Sequence, residues 1–135
     1  MGLYIFWTIA GSTLPDTPKT QAMVVPSEVV QGWAQTFPHA PTLAVALTTE
    51  HFRDGRAPET WVEDMRELWS QLRFRYRTGQ VQSGWTNGDT ALVIYHATST
   101  SIWGKHTRRE EYRLIKNDEG QWLLNQFRLM NDQIL

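Results

Sequence analysis

Apolar residues recur every three or four positions between 58 and 72, then every two from 73 onward, and that switch of period organises the chain. Trp61, Met65, Leu68, Trp69 and Leu72 form one stripe, predicted to pack on the concave face of a sheet. Pro58 suits the first turn of this helix, where a missing N–H costs nothing, and Glu59, Glu63 and Asp64 complement its positive end. Thr60 with Glu63 offers a capping-box start two residues later. Beyond the helix, four antiparallel strands are predicted over 73–81, 89–103, 106–116 and 122–130. Turns fall at Asn87-Gly88, Gly104 and Asn117-Asp118-Glu119-Gly120. At the start of the first strand Phe74 and Tyr76 take one face and Arg73, Arg75 and Arg77 the other. The second is apolar on both faces at 91–95, the mark of an inner strand. In the third, Arg108, Glu110, Tyr112 and Leu114 share a face. In the fourth, Leu123, Phe127 and Leu129 share one with Asn125.

Upstream, Ser27 is an N-cap for a first helix over 28–37, with Val29, Val30, Trp33 and Phe37 as its stripe and Pro38 ending it. A second short helix begins at Pro41-Thr42, and Asp54-Gly55-Arg56 is a turn. Residues 2–10 are the most hydrophobic run, far short of the ~20 residues of a spanning helix. No Lys or Arg precedes them, so the charged region of a signal peptide is lacking. They are expected to be a strand or short helix packed on the domain, or the tail of an anchor. Residues 12–26, with Pro15, Pro18 and Pro26, read as a linker. The chain thus divides into an apolar segment and linker over 1–26 and one α+β domain over 27–135. It is soluble as written and cytoplasmic by default, or extracytoplasmic if 2–10 is the remnant of an anchor.

Composition narrows the chemistry more than the compartment. A 135-residue chain, 41% hydrophobic and 20% charged, has the balance of an ordinary globular domain. A formal charge of −1 argues against binding a polyanion by bulk charge, which makes nucleic acid a poor expectation. The absence of cysteine excludes disulfides, thiolate catalysis and Cys-ligated metal. His39, His51, His96 and His106 lack metal-ligand spacing, and no phosphate loop or G-x-S-x-G elbow occurs, so neither metal nor cofactor is expected. Seven tryptophans, at 7, 33, 61, 69, 85, 103 and 122, suggest core packing or the walls of an apolar pocket. Residues 73–116 hold eight Lys or Arg against three Asp or Glu. This basic face could meet an acidic partner or single-stranded nucleic acid, with Tyr76 or Trp103 as stacking platforms. Otherwise Glu110 and Glu111 pair with the arginines on a solvated face.

The third helix PETWVEDMRELW, the strand-turn-strand NGDTALVIYHATST and the closing EEYRLIKNDEGQWLLNQF together resemble the NTF2-like superfamily, which includes SnoaL-like and ketosteroid-isomerase-like proteins. One departure is that 51–58 leaves little room for the β-hairpin common between the second and third helices of that family. The resemblance implies N-terminal helices packed on a curved four-stranded antiparallel sheet, a cone with an internal cavity, and dimerisation through the sheet. It implies no single activity. Its cavity would be lined by Trp61, Met65, Trp69, Tyr112 and Phe127, and enzymes of the fold place polar groups there. Tyr95 and His96 are the acid–base candidates, and because they are neighbours on one strand only one can face inward. Without a paired carboxylate or His–Asp motif, the first expectation is a non-catalytic module that binds a small apolar molecule or a protein partner. The second is an isomerase, dehydratase or hydrolase using His96 or Tyr95. The third is an extracytoplasmic domain of an envelope complex that has lost its anchor.

Overall fold

The computed structural model describes residues 5–7 and 25–135. Its elements are β1 (Ile5–Trp7), α1 (Pro26–Thr36), α2 (Pro41–Ala44) with a 3-10 turn (Val45–Leu47), α3 (Pro58–Leu72), β2 (Arg75–Asn87), β3 (Thr90–Ser101), β4 (Gly104–Lys116) and β5 (Trp122–Ile134). The strands form one antiparallel sheet in chain order. The α+β class and the four-strand meander follow the apolar period. The fifth strand, β1, pairs with Gly84 to Thr86 and comes from the hydrophobic run expected to be a strand or short helix. No helix among the described residues is long and apolar enough to cross a membrane.

Proline rather than side-chain capping starts all three α-helices. Ser27 is not the N-cap of α1; it lies inside the helix, buried, and Val25 caps the helix with Pro26 in its first turn. Ala57 precedes α3 with no side-chain cap, so the Thr60–Glu63 box is not used. A proline N–H is absent where a helix would orphan it anyway, and its fixed φ favours the first turn.

The core is built from α1 (Val29, Val30, Trp33, Phe37), the start of α3 (Trp61, Val62) and the inward face of the sheet (Val81, Val93, Tyr95, Ala97, Tyr112, Leu114, Leu124). The α1 helix lies across β2, β3 and β5, whereas α3 packs chiefly on α2 and the 3-10 turn. That arrangement corrects one expectation. Of α3 only Trp61 and Val62 are fully buried; Met65 and Trp69 are half-buried, and Leu68 is 41% exposed. The apolar stripe of α3 borders a space and does not press on the sheet along its whole length.

The β2–β3 hairpin turns at Gly88-Asp89, and of these two only Gly88 has a positive φ, 61°. This is the pattern of a type II′ turn, whose twist matches that of the strands.

Two stability measurements check this architecture. Gly88→Val is expected to cost about 1–3 kcal/mol through backbone strain, since a β-branched residue is poorly accommodated at that φ. An unchanged denaturant midpoint would contradict it. Trp61→Ala is expected to cost about 3–5 kcal/mol and Leu68→Ala less than about 1 kcal/mol. Equal losses would mean that α3 packs on the sheet along its length.

Candidate functional site

A cavity of about 810 Å³ lies between α3 and the sheet. Trp33 and Phe37 of α1, Trp61, Met65 and Trp69 of α3, and Tyr76, Tyr112 and Phe127 of the sheet line it. The five residues expected at a cavity wall are therefore brought together. The aromatic rings around it form a continuous run of contacts, from Trp33 and Phe37 (centroids 4.2 Å apart), which Trp61 also meets, through Trp69, Phe74, Tyr76 and Tyr95 to Tyr112 and Phe127. Most of these pairs are tilted or edge-to-face, as the ring quadrupole favours.

Val93, Tyr95 and Ala97 belong to the core face, so Tyr95 points inward. Its ring crosses β2 at Gly79, where an added Cβ would land on the Tyr95 hydroxyl; glycine permits the crossing. Burial, then the nearby Glu110 charge, pushes the Tyr95 pKa up to about 12. Such a phenol is a weak acid–base group near neutrality. His96, the neighbouring residue on β3, lies half-buried on the other face and lines neither this cavity nor the other sizeable cleft.

Behind the cavity wall formed by Tyr76, Arg108 and Tyr112 lies a carboxylate that the sequence pattern placed on a solvated face. Glu110 is completely buried, on the same face as Tyr112 and Leu114, and is not part of a solvated face. Tyr76 donates its hydroxyl proton between the two carboxylate oxygens (2.9 and 2.7 Å), Tyr112 donates to Oε1 (2.7 Å), and Arg108 Nε donates to Oε2 (2.9 Å). A buried carboxylate needs such partners, because an unpaired charge in a low-dielectric interior is costly. Burial, followed by the Glu110 charge, raises the Tyr76 pKa well above that of a free phenol. Burial, Tyr76 and Glu110 do the same for Tyr112. Burial would lower the Arg108 pKa, but Glu110, Tyr76 and Asp132 outweigh it. The Arg108 guanidinium also lies over the Phe74 ring, 5.0 Å from its centroid. Sequence carried one signal for this centre, the arginine and glutamate two residues apart on the face of Tyr112.

Arg108 links the centre to a second polar chain. Its Nη1 contacts Asp132 Oδ2 (3.4 Å), Asp132 Oδ1 accepts from His106 Nδ1 (3.0 Å), and His106 Nε2 meets Ser101 Oγ (2.8 Å). Asp132 can only accept, so Nδ1 carries the proton; in the neutral ring Nε2 then accepts from the Ser101 hydroxyl. The atoms run in the order of a hydrolase triad. However, Ile102 N–H is bonded to Leu72 O and Trp103 N–H to Ser101 Oγ, so these two amides of the hairpin cannot hold an oxyanion. His106 is itself buried. The chain acts as a clamp between the β3–β4 hairpin and the end of β5. Glu111, the next residue on β4, lines the cavity with Arg113 and Arg128; burial works against its carboxylate, but hydrogen bonds and charge from Arg128 and Arg113 overcome it and lower its pKa.

The raised tyrosine pKa values fix the sign of an alkaline transition. A folded pKa above the unfolded value stabilises the fold fully below pH ~10, and that stability is lost as pH rises toward the folded value. In an absorbance titration at 295 nm, Tyr76, Tyr95 and Tyr112 are expected to ionise only as near-ultraviolet circular dichroism is lost. Ionisation of all three near pH 10 with the fold intact would contradict the buried network.

No known family model matches the chain, and no curated protein does. Among solved structures it is similar to Bdellovibrio bacteriovorus Bd1075, with a TM-score of 0.54 and 14% identity. The match covers 76% of this chain and 38% of the Bd1075 chain, and at that identity it speaks for the fold alone.

Proposed function

We propose that the chain is an NTF2-like domain acting as a non-catalytic module that holds a small apolar or aromatic molecule in the cavity between α3 and the sheet. The observation that carries this reading is the state of Glu110. This carboxylate is fully buried behind Tyr76, Tyr112 and Arg108, which donate to its oxygens and line the cavity in its place, and the buried Glu111 that does line the cavity is paired with Arg113 and Arg128, so neither stands as a free base. The other acid–base candidates add little chemistry. Tyr95 is held protonated, and His96 sits on the opposite face. What the cavity offers a ligand is ring surface from Trp33, Phe37, Trp61 and Trp69, with polar side chains such as Asn125 and Gln126 and the charged Asp54, Glu111, Arg113 and Arg128 also in its lining. A concave apolar site with a few polar groups is the usual form of a small-molecule site, and about 810 Å³ is within its usual size.

Binding of the neutral dye Nile red, followed by fluorescence, together with native mass spectrometry of the purified protein, tests the reading. Phe127, 42% exposed and in contact with Tyr112, can be replaced without opening the core. Phe127→Arg is expected to weaken dye binding at least about tenfold by removing a ring from the aromatic wall and placing a charge there. His96→Ala is expected to leave it unchanged. Equal dye binding by wild type and Phe127→Arg, or loss of binding in His96→Ala, would overturn the proposal.

A further inference from the structure

A second cleft, of about 970 Å³, opens between α1, the C-terminal end of α3 and the start of β2. Arg66, Arg73, Arg75 and Arg77 line it, with His39 beside them, and no carboxylate does. The strand carboxylates that could have neutralised these arginines are engaged elsewhere, Glu110 by Arg108 and Glu111 by Arg113 and Arg128. Arg77 Nε is positioned by Thr100 Oγ1 (3.0 Å) and Arg66 Nη2 by Thr42 Oγ1 (3.3 Å). Among the described residues, none of the four arginines is within 4.0 Å of a carboxylate oxygen.

Two further observations make this more than a solvated basic face. The first is the backbone at Arg73. α3 closes with Phe74 N–H bonded to Trp69 O and Arg73 N–H to Ser70 O, with the Trp69 and Phe74 rings 4.5 Å apart. This is a Schellman ending with its usual apolar contact, and its left-handed residue is most often glycine. Arg73 occupies that position at φ 52°, so the chain keeps a guanidinium where glycine would be less strained. The second is the wall of the cleft: Trp69, Phe74, Tyr76 and Tyr95 line it beside the arginines, and a cleft of one charge sign with low-dielectric walls focuses its field on an anion.

We propose that this cleft binds a small multivalent oxyanion, a molecule carrying two or more phosphate, sulfate or carboxylate groups. The guanidinium fork matches the oxygens of each of these groups. The four arginines line one cleft of about 970 Å³, Arg66 from α3 and Arg73, Arg75 and Arg77 from the cap and strand that follow it. A compact ligand fits that arrangement better than a polymer. The site is separate from the apolar cavity proposed above, although Trp69 and Tyr76 line both.

Isothermal titration of the whole chain with tripolyphosphate and, separately, with citrate tests the proposal, and the two arms distinguish phosphate from carboxylate chemistry. Saturable binding of at least one, weakening as sodium chloride is added, is expected. Arg75→Gln with Arg77→Gln is expected to weaken it at least about tenfold. Arg73→Gly is expected to weaken binding while holding or raising Tm, because glycine suits the left-handed position. Phe127→Arg, in the other cavity, is expected to keep full affinity, so failure of the cavity reading would not mimic failure here. The proposal is overturned by the absence of saturable binding to either anion, or by affinity unchanged in both arginine variants. Binding seen only with an oligothymidylate would overturn it equally, by pointing to a polymer.

Discussion

Burying Glu110 is the constraint from which much of the rest follows. A carboxylate with no exposed surface must have its charge and lone pairs satisfied by the protein. Three donors from two strands do so, and each is tied into its surroundings. Tyr76 and Tyr112 belong to the aromatic run, and Arg108 lies over Phe74 and reaches Asp132. The cluster therefore fixes the relation of β2 to β4 across β3. It also links that region to β5 through the Asp132–His106–Ser101 clamp. Whether such a cluster adds stability over an apolar substitute is a separate matter. Its contribution here is one defined arrangement of rings and strands around the cavity.

The helices complete the site from the other side. α1 covers the sheet closely, and α3 is held by α2 and the 3-10 turn, which leaves space beneath its middle and end. Met65 and Trp69 face that space while Trp61 anchors the first turn. Beyond the cavity, the Schellman ending of α3 turns the chain directly into β2, where Arg73, Arg75 and Arg77 alternate with Phe74 and Tyr76 and all five line the second cleft.

Much of this was legible in the sequence, because hydrophobic period records which face of each element is buried. The switch from helical to strand spacing at residue 73 and the inner strand at 91–95 were visible in this way; the hairpin turn was read from Asn87-Gly88 and falls one residue later, at Gly88-Asp89. The wall residues Trp61, Met65, Trp69, Tyr112 and Phe127 came partly from that pattern and partly from the family resemblance. Period could not show how far each helix stands from the sheet, so Leu68 read as core although it is exposed. Nor could it say which of Tyr95 and His96 faces inward, since the strand leading to them is apolar on both faces. Ser27 and Thr60 were plausible caps, but proline at the first turn decided the helix starts. Glu110 was the main omission. A charged residue on an apolar face reads as an edge group until the three donors, distant in sequence at Tyr76 and adjacent at Arg108 and Tyr112, are seen together.

The most direct test of this account is a double-mutant cycle on Tyr76→Phe and Glu110→Gln, read as unfolding free energy. If the phenol and the carboxylate form a buried, mutually dependent pair, each single change should be destabilising and the coupling should be about 1–3 kcal/mol. Additive effects with no coupling, or single variants as stable as the wild type, would contradict the claim that the Glu110 cluster organises the cavity.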